Sequence, residues 1–283
     1  MGCKTPANKR KSASRNDPPP PLSQVPLWKW FSSKEAWESL QKVFSKMPIV
    51  KPRYLTEGLL PEDRYSVFWE LLDIQGLRPV IFMQERYYPR LMAAAVTTLS
   101  IQDSLDRYGH GNFRFTFKLA GGKYALGLDE LASIWGLQNR GILFKGGSNP
   151  NIRLRSYDYE RAQRMLRVTT ITVGKYSVGG MSTNHHLLHY MLTYILLPRK
   201  GNHGIINEED LIILWAMVEK REINWPYLMA HRLMIYAFGK LGPCLGHGML
   251  WTKVFEYLGI DLSGEDAVPI DVGNVITQDE KRS

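Results

Sequence analysis

Cysteine is almost missing from this chain: its 283 residues hold two, Cys3 and Cys244, too few and too far apart for a disulfide framework. That excludes a small secreted scaffold. A reducing intracellular setting, nucleus or cytoplasm, is expected instead. Long apolar runs are missing as well. The strongest, Leu187 to Leu197, is interrupted by His189 and Thr193 and stopped by Pro198, so no membrane span is expected. The N-terminus carries no apolar signal segment, and Met1-Gly2-Cys3 is followed at the sixth position by Pro6 where myristoylation wants Ser or Thr. Acid is scarce at one end. Met1 to Arg53 contains 11 Lys and Arg against 3 Asp and Glu, while Tyr54 onward balances 25 against 24, so the net charge of +9 belongs to the N-terminal part.

Reaction motifs are missing too. The glycines at Gly109, Gly111, Gly121, Gly122, Gly146 and Gly147 form neither a phosphate-binding loop nor a dinucleotide fingerprint. No serine or cysteine sits in a nucleophile elbow. No repeat of 20 to 50 residues is visible, which excludes a solenoid.

What is present is ample core material: 44% of residues are hydrophobic, including eight Trp, ten Phe and fourteen Tyr, enough to bury a large domain. Residues 1–26 combine Lys9, Arg10 and Lys11 with small polar residues and the run Pro18 to Pro21, a composition that predicts a disordered basic arm. Ser32 followed by Glu35 predicts a capped helix through Trp37, Leu40 and Phe44. A second helix runs from Pro61 to Gly76, and a third follows Pro89 through Leu99.

The most regular stretch is Phe113 to Gln138. Phe113, Phe115, Phe117 and Leu119 alternate with Arg114, Thr116 and Lys118, the period of a half-buried strand. Gly121-Gly122 allows a reversal onto Tyr124 to Leu128. Asp129 is expected to cap a helix that buries Leu131, Ile134 and Trp135 and leaves at Gly136. A second small hairpin is expected from Thr170 to Val178. Helices follow over Thr183 to Leu197, Glu208 to Lys220 capped by Asn207, Pro226 to about Leu241, and His247 to Leu258. The expected fold is therefore mainly α, a single multi-helix domain over residues 27–262 with one or two small β-hairpins. A polar, flexible tail is expected over residues 263–283.

Three constellations are candidates for chemistry. His185 and His189, four apart on a helix, and Cys244 with His247 offer two pairs of metal ligands, although the helix lacks the Glu of a zinc-protease motif. The competing reading is that these histidines hydrogen-bond within the fold. Asp103, Asp106, Asp129, Glu130, Glu208, Glu209 and Asp210 supply acids for a two-metal nuclease or transposase if they converge; helix capping is the competing role. Arg153, Arg155, Arg161, Arg164 and Arg167, interleaved with Tyr157 and Tyr159, could contact phosphates and stack on bases, and together with Lys9, Arg10 and Lys11 they are the candidate nucleic-acid residues. Arg161, Arg164 and Arg167 are expected on one helix face.

Four blocks appear in order: YYPRLMAAAVTTL from Tyr87 to Leu99, the FRFTFKLAGGKYALGLDELASIWGL block from Phe113, LTYILLPRKGNHGIINEEDLIILWAMVEKREINWP from Leu192 to Pro226, and GMLWTKVFEYLGIDLSGED from Gly248 to Asp266. Together they resemble the plant transposon protein domain of retroelement-derived plant proteins, over most of Tyr54 to Asp266. The strand-turn-strand-helix block is also similar to part of the plant mobile domain, often labelled aminotransferase-like. No lysine here marks a pyridoxal-phosphate Schiff base, so no cofactor is expected. The resemblance implies a mobile-element origin and brings no catalytic residue. The reading that follows is a non-enzymatic domain binding nucleic acid or other element-encoded proteins. Its rivals are a divalent-metal transposase-like or nuclease enzyme, and a degenerate fragment without activity.

Overall fold

The computed structural model describes residues 38, 48–106, 108–119, 121–144, 157–199, 203–238 and 245–271. The expected basic arm and most of the helix expected after Ser32 lie outside these. Among the described residues there are nine α-helices, one π-helical segment and six strands.

The Phe113 block folds as its alternation requires. Strand β2 (Phe113–Leu119) buries every second side chain and pairs antiparallel with β3 (Gly122–Leu126), Leu119 opposite Gly122. Gly121 at φ +75° makes the reversal, a conformation that costs glycine nothing. A third strand, β1 (Ser100–Asp103), joins the other edge of β2 with Ile101 opposite Phe115. The helices flanking this sheet are α1 (Ser66–Ile74), α2 (Arg78–Ile81) and α3 (Pro89–Thr97) before it and α4 (Leu128–Trp135) after it. α1 starts later than Pro61, after a turn in which the Tyr65 amide already donates to the Pro61 carbonyl.

The cap of α4 differs from expectation. Gly127, not Asp129, is its N-cap, and the Glu130 carboxylate accepts from the Gly127 N–H at 2.6 Å. Asp129 is already the second residue of the helix, past the N-cap position, and its carboxylate accepts from Asn139 Nδ2 at 2.6 Å instead. The exit is as expected: Gly136 is left-handed at φ +68°, and Leu137 packs into the core.

The second hairpin also gains a strand. β4 (Thr169–Thr172) pairs with β5 (Lys175–Ser177), and β5 pairs with β6 (Ile205–Asn207), which puts Tyr176 opposite Ile206, both buried. The fold is thus helical with two three-stranded antiparallel sheets, where hairpins alone were expected.

Helix α5 (Tyr159–Leu166) precedes β4, and α6 (Thr183–Met191) follows β5. An α-helix was expected to run on to Leu197, but Leu192–Leu196 widens to a π turn, with the Leu197 amide reaching back to the Leu192 carbonyl at 2.7 Å. Two local causes coincide. The Thr193 hydroxyl donates to the His189 carbonyl at 3.0 Å, in competition with the helical amide, and Pro198 drives Leu197 out of the α region. α7 (Glu208–Val218), α8 (Trp225–Phe238) and α9 (Gly248–Tyr257) complete the body. No helix is long and apolar enough to cross a membrane among the described residues.

One core joins these elements. The inner face of β2 meets α9, with Phe115 and Phe117 centred 5.6 and 5.3 Å from Trp251. α4 packs on α8 and α9, and α5 on α7. The folded body continues past the boundary expected at Leu262. Tyr87 and Val268 form a two-bond bridge at 3.0 and 2.8 Å, and buried Glu265 faces buried Arg90 at 3.9 Å.

The outer face of the first sheet has the opposite character. Arg114, Lys118 and Lys123 are exposed there beside Ser100, Gln102 and Thr116. Asp103, the one acid in the three strands, has its carboxylate held by Tyr227 of α8 instead.

Candidate functional site

The arginine cluster is only partly assembled. Asp158 caps α5 by accepting from the Arg161 N–H at 2.9 Å, and Ala162 and Leu166 fix the buried side. Arg161 Nη2 then reaches Glu219 at 2.6 Å, and Arg164 Nη1 lies 3.4 Å from Glu160. Arg167 is not on the helix face with them: the helix ends at Leu166 and Arg167 takes the left-handed φ of 55°. Gly180 approaches the Arg167 carbonyl so closely that an added Cβ would stand 2.2 Å from it. The tyrosines face other rings of the fold, Tyr157 edge-on to Trp215 at 5.2 Å and Tyr159 edge-on to Tyr176 at 5.7 Å. Burial pushes the Tyr157 hydroxyl well above its ordinary range. Lys9, Arg10, Lys11, Arg153 and Arg155 lie outside the described residues.

The carboxylates go to separate places. Asp103 accepts from Tyr227 Oη at 2.7 Å and stands 3.3 Å from His231 Nε2. Asp106 folds its own loop by accepting from the Tyr108 and His110 amides. Asp129 and Glu130 serve α4 as described above. Glu208 begins α7, Glu209 pairs with Arg232, and Asp210 closes the capping box with Asn207. No group of three or more His, Cys, Asp or Glu that could hold a metal occurs among the described residues.

The histidines weighed as metal ligands take different partners. The His185 amide donates to the capping Ser182 at 3.3 Å, and burial, helped by Arg167, lowers its imidazole pKa. His189 is buried against Asp210, its Nε2 3.9 Å from Oδ2. Burial by itself would raise the Asp210 carboxyl. The His189 imidazole, the Arg199 guanidinium at 2.5 Å and the Asn207 N–H together hold it below the usual carboxylate range. Cys244 lies outside the described residues.

His247, the remaining member of that set, has a distinct setting. It is buried, sits at the left-handed φ of 57° at the start of α9, and its Nε2 has no hydrogen-bond partner among the described residues. Burial, reinforced by Arg232, depresses its pKa to about 3, so the imidazole is neutral at physiological pH. It lines a cavity of about 20 Å³ with Arg53, Tyr194 and Ile195, room for one water-sized group. Two of those residues come from the π turn, a helix irregularity that recurs at functional sites.

Sequence reasoning missed the cluster of Asp103 with Tyr227 and His231. The Tyr227 and His231 rings are 4.5 Å apart and Phe113 closes over both. A carboxylate orienting an imidazole is half of a general-base arrangement, and here a tyrosine hydroxyl occupies the same oxygen. Their spacing of four on α8 was the only signal of this pair in the sequence, and Asp103 stood there only as a candidate metal carboxylate, with nothing to join it to them. Comparison of the chain with protein-family models, curated proteins and solved structures returns no match in any of the three.

Proposed function

We propose that this chain is a non-enzymatic domain of a plant transposable-element-derived protein, acting by binding nucleic acid. The observation that carries the reading is the disposition of the seven candidate carboxylates. Six of them serve as caps, loop ties or ion-pair partners at separate places in the fold, while a two-metal reaction needs several to converge on the cations. The mobile-element origin rests on the four sequence blocks. Three of them pack on one another: α3 against β2, and α4 and α3 against α9.

The test is a gel-shift and cleavage assay on the intact chain with duplex DNA, in magnesium and then in manganese. The expected outcome is a shifted, uncut duplex. Metal-dependent cleavage that disappears in Asp103→Asn or Asp210→Asn would replace this reading with the nuclease.

A further inference from the structure

We propose that the outer face of the β1–β2–β3 sheet is the surface that takes the nucleic acid, by contacting the phosphate backbone of a duplex through Arg114, Lys118 and Lys123. The inference rests on the nucleic-acid reading above and names its site.

Three observations point there. First, Lys118 and Lys123 are directly opposed across the β2–β3 pair. Like charges at that position destabilise a sheet, and exchanging either lysine for an acid would relieve the cost. Second, the three cations form no ion pair among the described residues, and the strands offer no acid on their side, since Asp103 is held by Tyr227. Arg161 and Arg164 of the sequence-predicted cluster, by contrast, already have Glu219 and Glu160. An ordinary solvated surface mixes both signs, whereas the described strands of this face offer only cations outward.

Third, the cations are spread along the face. Arg114 and Lys118 are four residues apart on one strand, roughly 13 Å at the rise of an extended chain, with the polar Thr116 between them. Lys123 lies beside Lys118, so the cations form a bent row across the sheet.

The chemistry of the face also selects the form of nucleic acid. Sequence-independent capture of a single strand relies on exposed aromatic rings that stack on bases. The aromatic residues of this sheet are turned inward: Phe113, Phe115 and Phe117 are buried, and Tyr124 stacks on Phe117 at 5.3 Å. What remains is a phosphate-contacting surface without base readout, suited to duplex backbone.

The experiment measures the affinity of the intact chain for a random-sequence duplex as a function of salt. It is repeated with the triple variant Arg114→Gln, Lys118→Gln, Lys123→Gln and with the single variant Lys118→Glu. Three phosphate contacts contribute about −2.7 to the slope of log K against log salt. The triple variant is expected to lose about that much slope and at least roughly tenfold in affinity at low salt. Lys118→Glu places opposite charges face to face, so it should weaken binding while leaving the melting temperature unchanged or higher, which separates lost binding from lost folding. Intact binding with the slope unchanged in both variants overturns the sheet as the site and leaves the nucleic-acid reading standing on other cations. No duplex binding by the intact chain overturns both, and so does binding to poly-glutamate in place of DNA.

Discussion

The indole N–H of Trp135 donates to the carbonyl of Leu250 at 3.2 Å, tying the helix that ends the Phe113 block to the start of α9, 115 residues later. Trp135 is 1% exposed, so the bond is made in the core. Trp135→Phe keeps most of the apolar area but leaves the carbonyl one partner short, and should cost about 1 kcal/mol in urea unfolding. Trp135→Ala opens a cavity as well and should cost about 3–5 kcal/mol. Equal losses in the two variants would mean that the hydrogen bond, not the packing, fastens α4.

The sequence made this block legible because its periods are unambiguous: two-residue alternation in β2, then an apolar stripe closed by Gly136. β1 and β6 were not legible for the opposite reason. Ser100–Asp103 and Ile205–Asn207 are short edge strands with few buried side chains, and only the neighbouring strand gives them a pattern. The π turn escaped as well, because Leu192–Leu196 carries the same apolar residues as an α-helix. Among the site residues, Asn207 was readable as a cap from adjacent acids. The partners of Asp103 and Asp210 are set by tertiary contact across as many as 124 residues and leave no local trace.

Gln75 is a second long-range tie. Its side-chain oxygen accepts from the Ile223 amide at 3.0 Å and the Trp225 indole at 3.1 Å, and its nitrogen donates to the Arg221 carbonyl at 2.7 Å. All three bonds hold α1 against the turn between α7 and α8. Gln75→Leu matches the volume closely but removes every bond from a buried site, so a loss of about 3 kcal/mol or more is expected in chemical denaturation. A loss below about 1 kcal/mol would show that this turn stays solvated.

Asp210 and Arg199 form a partly buried pair whose removal has a defined sign. The Asp210 carboxyl is held below its ordinary range, so its stabilisation is complete above that range and is lost as pH falls through the folded value. Asp210→Asn should cost about 2–4 kcal/mol at pH 7, and Arg199→Met a comparable amount because it strands a buried charge. The double variant should lose less than the sum of the two singles. Strict additivity in the thermodynamic cycle would rule out the pairing.

His247 makes the protein acid-sensitive in the pH range of an ordinary imidazole. Its folded pKa of about 3 lies below the unfolded value, so the unfolded chain binds the extra proton first. The stability that His247 protects is therefore complete above about pH 6.5 and drains away below it, at about 1.4 kcal/mol per pH unit. His203, depressed to about 4 by burial and Arg199, pulls in the same direction. His247→Asn is the informative variant, because asparagine tolerates the left-handed backbone and does not titrate. Between pH 7 and pH 5 the unmodified chain should lose about 2 kcal/mol more than His247→Asn in paired urea titrations. Parallel losses in the two proteins would place the acid-labile group elsewhere, with His203→Asn as the next variant to compare.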